Sequence, residues 1–242
     1  MQTTLTPVIQ DLVPTGTLRV AINFGNPVLA QPHPQTGAPM GVSADLASEL
    51  ARQLTVPLEF VTYDGAGKVF AAADTDAWDI AFMAIDPQRA EKVLYTRPYV
   101  IIEGSYVVHS DSPLKTIEDV DQEGVRIAVG KGAAYDLFLS RSLRHAEIVR
   151  ADTSIAALEL FLAQSLDAAA GVRQPLLAFA SSHDGLRVID GRFTAIEQAM
   201  ATPKGRNRGL EFLTSFIDDM KASGFVAESL ARSGQGDASV AP

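Results

Sequence analysis

Along residues 17–85, apolar stretches of strand length alternate with stretches of helical period. Residues 17–22 (TLRVAI) read as a buried strand that ends in the polar loop Asn23-Phe24-Gly25-Asn26-Pro27, where a strand of an α/β sheet presents its carboxyl end to a ligand. The Pro- and Gly-rich segment 31–40 reads as a surface loop. Ser43 is the expected N-cap of the next helix, with Asp45 in its first turn and Leu46, Leu50 and Leu54 recurring along one face until Pro57. A strand over 58–62, a turn at Asp64-Gly65-Ala66-Gly67, a helix over 68–73 and a strand over 78–85 complete a βαβαβ pattern, the signature of a parallel sheet covered by helices.

The alternation starts again near Val125. Strands at 126–129, 147–150, 166–170 and 186–189 are separated by helices at 133–143, 154–163 and 175–181. Two apolar, β-rich segments, 99–108 and 194–202, remain to join the two sets, and a last helix over 207–222 stops before Gly224. The predicted fold is therefore α/β with two lobes, lobe 1 from residues 1–103 plus 199–242 and lobe 2 from 104–198. A chain that crosses twice between lobes makes a hinge with a ligand cleft. The small, polar tail 233–242 is expected to be mobile.

Composition narrows the functions this architecture can serve. With 20 Lys+Arg against 29 Asp+Glu the net charge is -9, which repels phosphate backbones and argues against a nucleic-acid partner. There is no Cys, so disulfides, thiolate metal sites and Cys nucleophiles are excluded. His33, His109, His145 and His183 lie too far apart in sequence for a ligand pair, and no cofactor or metal is expected. No apolar run approaches the roughly 18 residues of a membrane span. Residues 1–16 lack the basic start and apolar core of an export signal, so as written nothing exports the chain.

The candidate chemistry lies at strand-to-helix junctions. In Asp86-Pro87-Gln88-Arg89, Asp86 is placed to cap free backbone N–H groups, Pro87 suits a first helical position, and Arg89 falls in the first turn. A guanidinium there opposes the helix dipole, so either a ligand carboxylate pairs with it bidentately or a surface acid does. Gly130-Lys131-Gly132-Ala133 again runs from strand to helix, and its glycines let backbone amides converge on an anion. It is not a dinucleotide fingerprint, because Tyr135 stands where the third glycine belongs. Nor is Gly67-Lys68 a phosphate loop, since Thr62 and Val69 replace its glycine and its hydroxyl residue. Arg173 and Gln174 occupy a further carboxyl-end position, where the guanidinium either meets a ligand or is merely solvated. Glu103 and Glu197 sit in the two crossing segments, as structural ion-pair partners or as a general acid. Ser105 lacks a nucleophile-elbow motif.

Taken together, Gly16-Thr17-Leu18-Arg19-Val20, Gly41-Val42-Ser43-Ala44-Asp45-Leu46-Ala47, Trp78-Asp79-Ile80-Ala81, Ile85-Asp86-Pro87-Gln88-Arg89, Tyr95-Thr96-Arg97-Pro98-Tyr99 and Val129-Gly130-Lys131-Gly132 resemble the bacterial family 3 extracellular solute-binding proteins, the type II periplasmic amino-acid receptors of ABC importers. The resemblance covers about residues 14–230. It implies a two-lobe periplasmic-binding-protein type II fold, a small-molecule ligand, an ABC permease as partner and a periplasmic, monomeric protein, or a cytoplasmic one if Met1 is the native start. Arg89 matches the family's carboxylate clamp, and Gly130, Gly132 and Ala133 match the second-lobe loop whose amides assist it. Departures are as informative. Ala84 replaces the usual Thr or Ser, Asn26 and Gly65-Ala66 replace aromatic platforms, and Val172 or Arg173 stands where an Asp usually holds the ligand ammonium. The ligand-binding set expected is thus Arg89, Ala84, Asn23, Asn26, Gly130, Gly132, Ala133, Arg173 and Gln174, closing on a carboxylate-bearing ligand other than an ordinary amino acid. The alternative is an enzyme on the same scaffold resembling cyclohexadienyl dehydratase, with Glu103 or Glu197 as its acid.

Overall fold

The computed structural model describes residues 6–242; residues 1–5, over which the export-signal reading extends, lie outside the described residues. In chain order the elements are α1 (Thr6–Leu12), β1 (Leu18–Asn23), the short pair β2 (Gln31–Pro32) and β3 (Pro39–Met40), α2 (Val42–Leu54), β4 (Leu58–Tyr63), α3 (Ala66–Ala71), β5 (Ile80–Ala84) and β6 (Val93–His109). They continue with β7 (Arg126–Gly130), α4 (Ala134–Ser142), β8 (Glu147–Ala151), α5 (Ser154–Ala163), β9 (Ala168–Val172), α6 (Arg173–Ser181), β10 (Leu186–Val188), β11 (Thr194–Pro203), α7 (Asn207–Ala222), α8 (Phe225–Arg232) and β12 (Ser239–Val240).

Two compact units result, one of residues 6–63, 68–101 and 197–242, the other of 64–67 and 102–196. These divisions fall two residues before those read from the sequence, and the turn 64–67 groups with the second unit. In the first unit β1 runs parallel to β4, with Leu18 opposite Leu58, and to β5, with Val20 opposite Ile80; β11 lies antiparallel to β5 with Gln198 opposite Ala84. Every residue of β5 is buried, as expected of a strand covered on both faces. Its Met83 joins Trp78, Val69 and Val93 in the core of this unit. In the second unit β7 runs parallel to β8 and β9, while β6 pairs antiparallel with β9 and β10. Phe161, Leu166 and Leu176 fill the core there.

Several expectations are corrected. Ser43 is not a cap. The helix begins two residues earlier, at Val42 behind Gly41, whose φ of 104° and approach to the Leu29 carbonyl (2.8 Å from a built Cβ) only glycine tolerates, and the buried Ser43 hydroxyl meets that of Tyr99 at 3.3 Å. The tail is not loose: β12 pairs with β6 at Val100 and Ile101, and Ala238 and Ala241 are buried. Helices α1 and α8, unanticipated, both bury apolar faces, α1 through Val8 and Leu12 and α8 through Val226 and Leu230.

Candidate functional site

β5 delivers the first set of site residues. Beyond Ala84 the chain is pinned by the Ile85 N–H, which donates to the Glu197 carbonyl at 2.9 Å. Asp86 then accepts the Gln88 N–H at 2.9 Å and the Arg89 N–H at 3.4 Å, the capping role its side chain predicts. No α-helix follows. Arg89–Glu91 form one 3-10 turn, because the chain must enter β6 at Val93. Arg89 is 1% exposed, so it is not a surface ion-pair residue. Its Nη1 donates to the Ala84 carbonyl at 3.3 Å. Burial pushes the guanidinium pKa down from its ordinary value, against nearby Tyr95 and Asp86, which hold it up. A cation desolvated in this way binds a carboxylate far more strongly than one in water does. Ala84 itself brings a backbone oxygen here rather than a hydroxyl.

β1 is the parallel neighbour of β5, so its loop leaves the same edge of the sheet. Asn23 is a loop former: its Oδ1 accepts the Gly25 N–H at 2.9 Å. Asn26 shapes the loop with its backbone carbonyl, which accepts the Leu29 and Ala30 N–H groups at 3.1 and 3.2 Å. Its side-chain Oδ1 is buried with no hydrogen-bond partner among the described residues and stands ready to accept from a donor.

In the second unit the carboxyl ends of β7 and β9 carry the other predicted residues. The loop amides have internal acceptors: Lys131 N–H donates to Ala151 O (2.8 Å), Gly132 N–H to Asp136 Oδ2 (2.8 Å) and Ala133 N–H to Gly130 O (3.1 Å). Asp136, itself buried, is held by Arg150 Nε at 3.0 Å, so a carboxylate of the chain already accepts from one of the loop's amides. Gly130 is obligatory, since a Cβ would stand 2.9 Å from both Ser154 N and Tyr135 Oη. β9 runs two residues further than expected and α6 begins at Arg173 itself. The Arg173 Nη1 donates to the carbonyls of Ile189 (3.1 Å) and Gly191 (2.8 Å), the same two oxygens that the Ser105 hydroxyl reaches. Part of its fork therefore serves the fold. Gln174 Oε1 is buried and has no partner among the described residues.

Of the two acids considered for catalysis, Glu103 pairs with Arg192 Nη1 at 2.9 Å, and Glu197 is exposed. Sequence reasoning missed Tyr95, whose hydroxyl donates to the Ala84 carbonyl at 3.1 Å from no telling spacing, and Asp136, whose place in the first turn of α4, four residues after Gly132, was the signal for it. Among the described residues no group of three or more His, Asp or Glu could hold a metal ion, and no helix is long and apolar enough to cross a membrane.

A family model for bacterial extracellular solute-binding proteins, family 3, matches residues 18–234. A mutant of ArgBP from T. maritima is 25% identical with a TM-score of 0.80, over 93% of this chain and 98% of that one. The ancestral amino-acid-binding protein AncCDT-1, a precursor of cyclohexadienyl dehydratase, is 25% identical with a TM-score of 0.76, over 93% and 97%. An amino-acid ABC transporter substrate-binding protein from Streptococcus pneumoniae, bound to L-arginine, reaches a TM-score of 0.79 over 97% and 99%; at 20% identity it shows the fold alone.

Proposed function

We propose that this chain, which belongs to the bacterial extracellular solute-binding proteins of family 3, is a non-catalytic receptor for a small carboxylate-bearing ligand, an amino-acid derivative or organic acid, taken up through an ABC-type importer. The observation that carries the reading is Arg89, a buried guanidinium at the carboxyl edge of a parallel sheet. The amino-acid-binding ancestor at 25% identity supports a small polar ligand. An ordinary α-amino acid fits less well. Val172, at the end of β9, offers no charge to a ligand ammonium, and Arg173 beside it is cationic, so a buried ammonium would be left uncompensated. Asn26 Oδ1 in the first unit and Gln174 Oε1 in the second are each buried neutral acceptors without a partner among the described residues.

Native mass spectrometry of freshly purified protein identifies a retained ligand, and calorimetry with that compound tests the clamp. Arg89→Ala should weaken binding by about 2 to 5 kcal/mol, the loss on truncating one partner of a buried charge-assisted pair, while the unfolding midpoint holds. A change below about tenfold would remove Arg89 from the site. The scaffold's kinship to a dehydratase precursor gives a second reading its test: incubation with prephenate or arogenate. Appearance of an aromatic product would make the protein an enzyme, with an acid other than the ion-paired Glu103 to be sought.

A further inference from the structure

We propose that Tyr95 is the positioning residue of the Arg89 clamp: its hydroxyl ties together the backbone groups on either side of Ile85 and so fixes where the guanidinium points. The inference rests on the reading of Arg89 as the anion clamp. The phenol donates to the Ala84 carbonyl at 3.1 Å and lies against the Asp86 backbone amide, which acts as donor to it. One hydroxyl thus spans residues 84 to 86. The same Ala84 carbonyl accepts Arg89 Nη1 at 3.3 Å, and the Asp86 carboxylate accepts the Arg89 backbone N–H at 3.4 Å. Both ends of Arg89, backbone and guanidinium, therefore meet residues of the short segment that the Tyr95 hydroxyl spans.

The turn is closed by its own backbone bonds, Ala90 N–H to the Asp86 carbonyl at 2.9 Å and Lys92 N–H to the Arg89 carbonyl at 3.0 Å, and Tyr95 adds a side-chain tie from outside it. Its regular part is three residues of 3-10 helix, and Ile85 is 38% exposed, so apolar packing contributes little and hydrogen bonds set its geometry. The phenol ring is the opposite case. It enters from β6 and packs against the core cluster of Trp78, Met83 and Val93, which gives the hydroxyl a position independent of the turn. Burial pushes its pKa up to about 12, so it remains a donor to Ala84 across the neutral range. Tyr95→Phe keeps the ring and removes only the tie, leaving the guanidinium free to sample other directions.

The ligand-free protein, labelled with 15N-arginine, gives the direct readout. In the wild type the Arg89 Nε–Hε resonance, assigned by its loss in Arg89→Lys, should be single and slow to exchange with solvent. In Tyr95→Phe it should exchange about three- to tenfold faster or split, with the thermal midpoint little moved; loss of one net hydrogen bond corresponds to about tenfold at most in the open–closed balance of the turn. A resonance unchanged in position and exchange would overturn the proposal. Calorimetry with L-arginine, L-glutamate and succinate separates this from the receptor reading. Binding that weakens about three- to tenfold in Tyr95→Phe and more in Arg89→Ala supports both. Binding that depends on neither residue, beside an altered resonance, would sink the clamp while leaving Tyr95 as the residue that orders Arg89.

Discussion

Asp79 shows how much one side chain can hold. It is fully buried, and its carboxylate accepts from Arg19 Nε at 3.0 Å, Arg19 Nη2 at 2.9 Å and Arg206 Nη1 at 3.0 Å, while its own carbonyl accepts the Thr202 hydroxyl at 3.0 Å. Two guanidinium groups thus share one anion. Asp79→Asn should cost about 3 to 5 kcal/mol in urea unfolding, because both cations lose their partner away from water. Glu103 is the contrasting case, since it and Arg192 are 39% and 51% exposed, and water screens the pair. Glu103→Gln should change stability by less than about 1 kcal/mol. Equal losses from the two substitutions would contradict this ranking by burial. The capping role of Asp86 was legible because it sits at a strand end where a short carboxylate can accept the next free backbone N–H groups. Tyr95 gave no such signal, because its partner on β5 is chosen by how the strands pack; Asp136, in the first turn of α4 and four residues after Gly132, did carry a local one.

Between elements, the docking of α1 on α7 depends on the absence of a side chain. A Cβ at Gly209 would stand 2.5 Å from Leu12 Cδ2 and 2.9 Å from Leu12 Cγ, and the Gly209 N–H donates to Asp11 at 3.0 Å. Gly209→Ala should raise the helix propensity of α7 by about 1 kcal/mol, yet net stability should fall by about 1 to 3 kcal/mol as Leu12 is displaced. Chemical denaturation decides the sign, and stabilisation would mean that the contact yields easily. The periodic helices α2 and α7 were legible because their apolar faces repeat within their own segments. Helix α1 was not, since its seven residues bury only Val8 and Leu12 and make sense only against α7.

At the scale of the whole molecule, pH acts through carboxylates fixed in place by folding. Arg52, with help from Gln53, holds the Glu49 carboxyl down at about 2. Asp119 is lowered by the Thr116 and Lys115 amides. For Asp121, burial raises the pKa, but the Ala146, His145 and Arg144 amides outweigh it and the net direction is down. Groups whose folded pKa lies below the unfolded value bind fewer protons when folded, so their stabilisation is complete above the unfolded value and disappears as pH falls through the folded one. Unfolding free energy should therefore be flat above about pH 5 and decline from about pH 4.5 towards pH 2. A midpoint that rises on acidification over that range would show that the opposite sign dominates.

The sequence by itself determined the alternation of strands and helices, the double crossing of the chain and the strand-end placement of Arg89, Gly130 and Arg173. Those features follow from local periodicity and from the backbone preferences of Gly, Pro and Asp, which act over a few residues. Only the tertiary structure decided what each polar group meets. It gave the loop amides of 130–133 to internal acceptors, the Arg173 fork to the carbonyls of Ile189 and Gly191, the tail to β6, and the Ala84 carbonyl to both Tyr95 and Arg89. The reason is physical. A periodic pattern says which face of an element is buried, whereas the partner of a polar atom depends on which loops the paired strands bring to one edge, and that is fixed by contacts far apart in the chain.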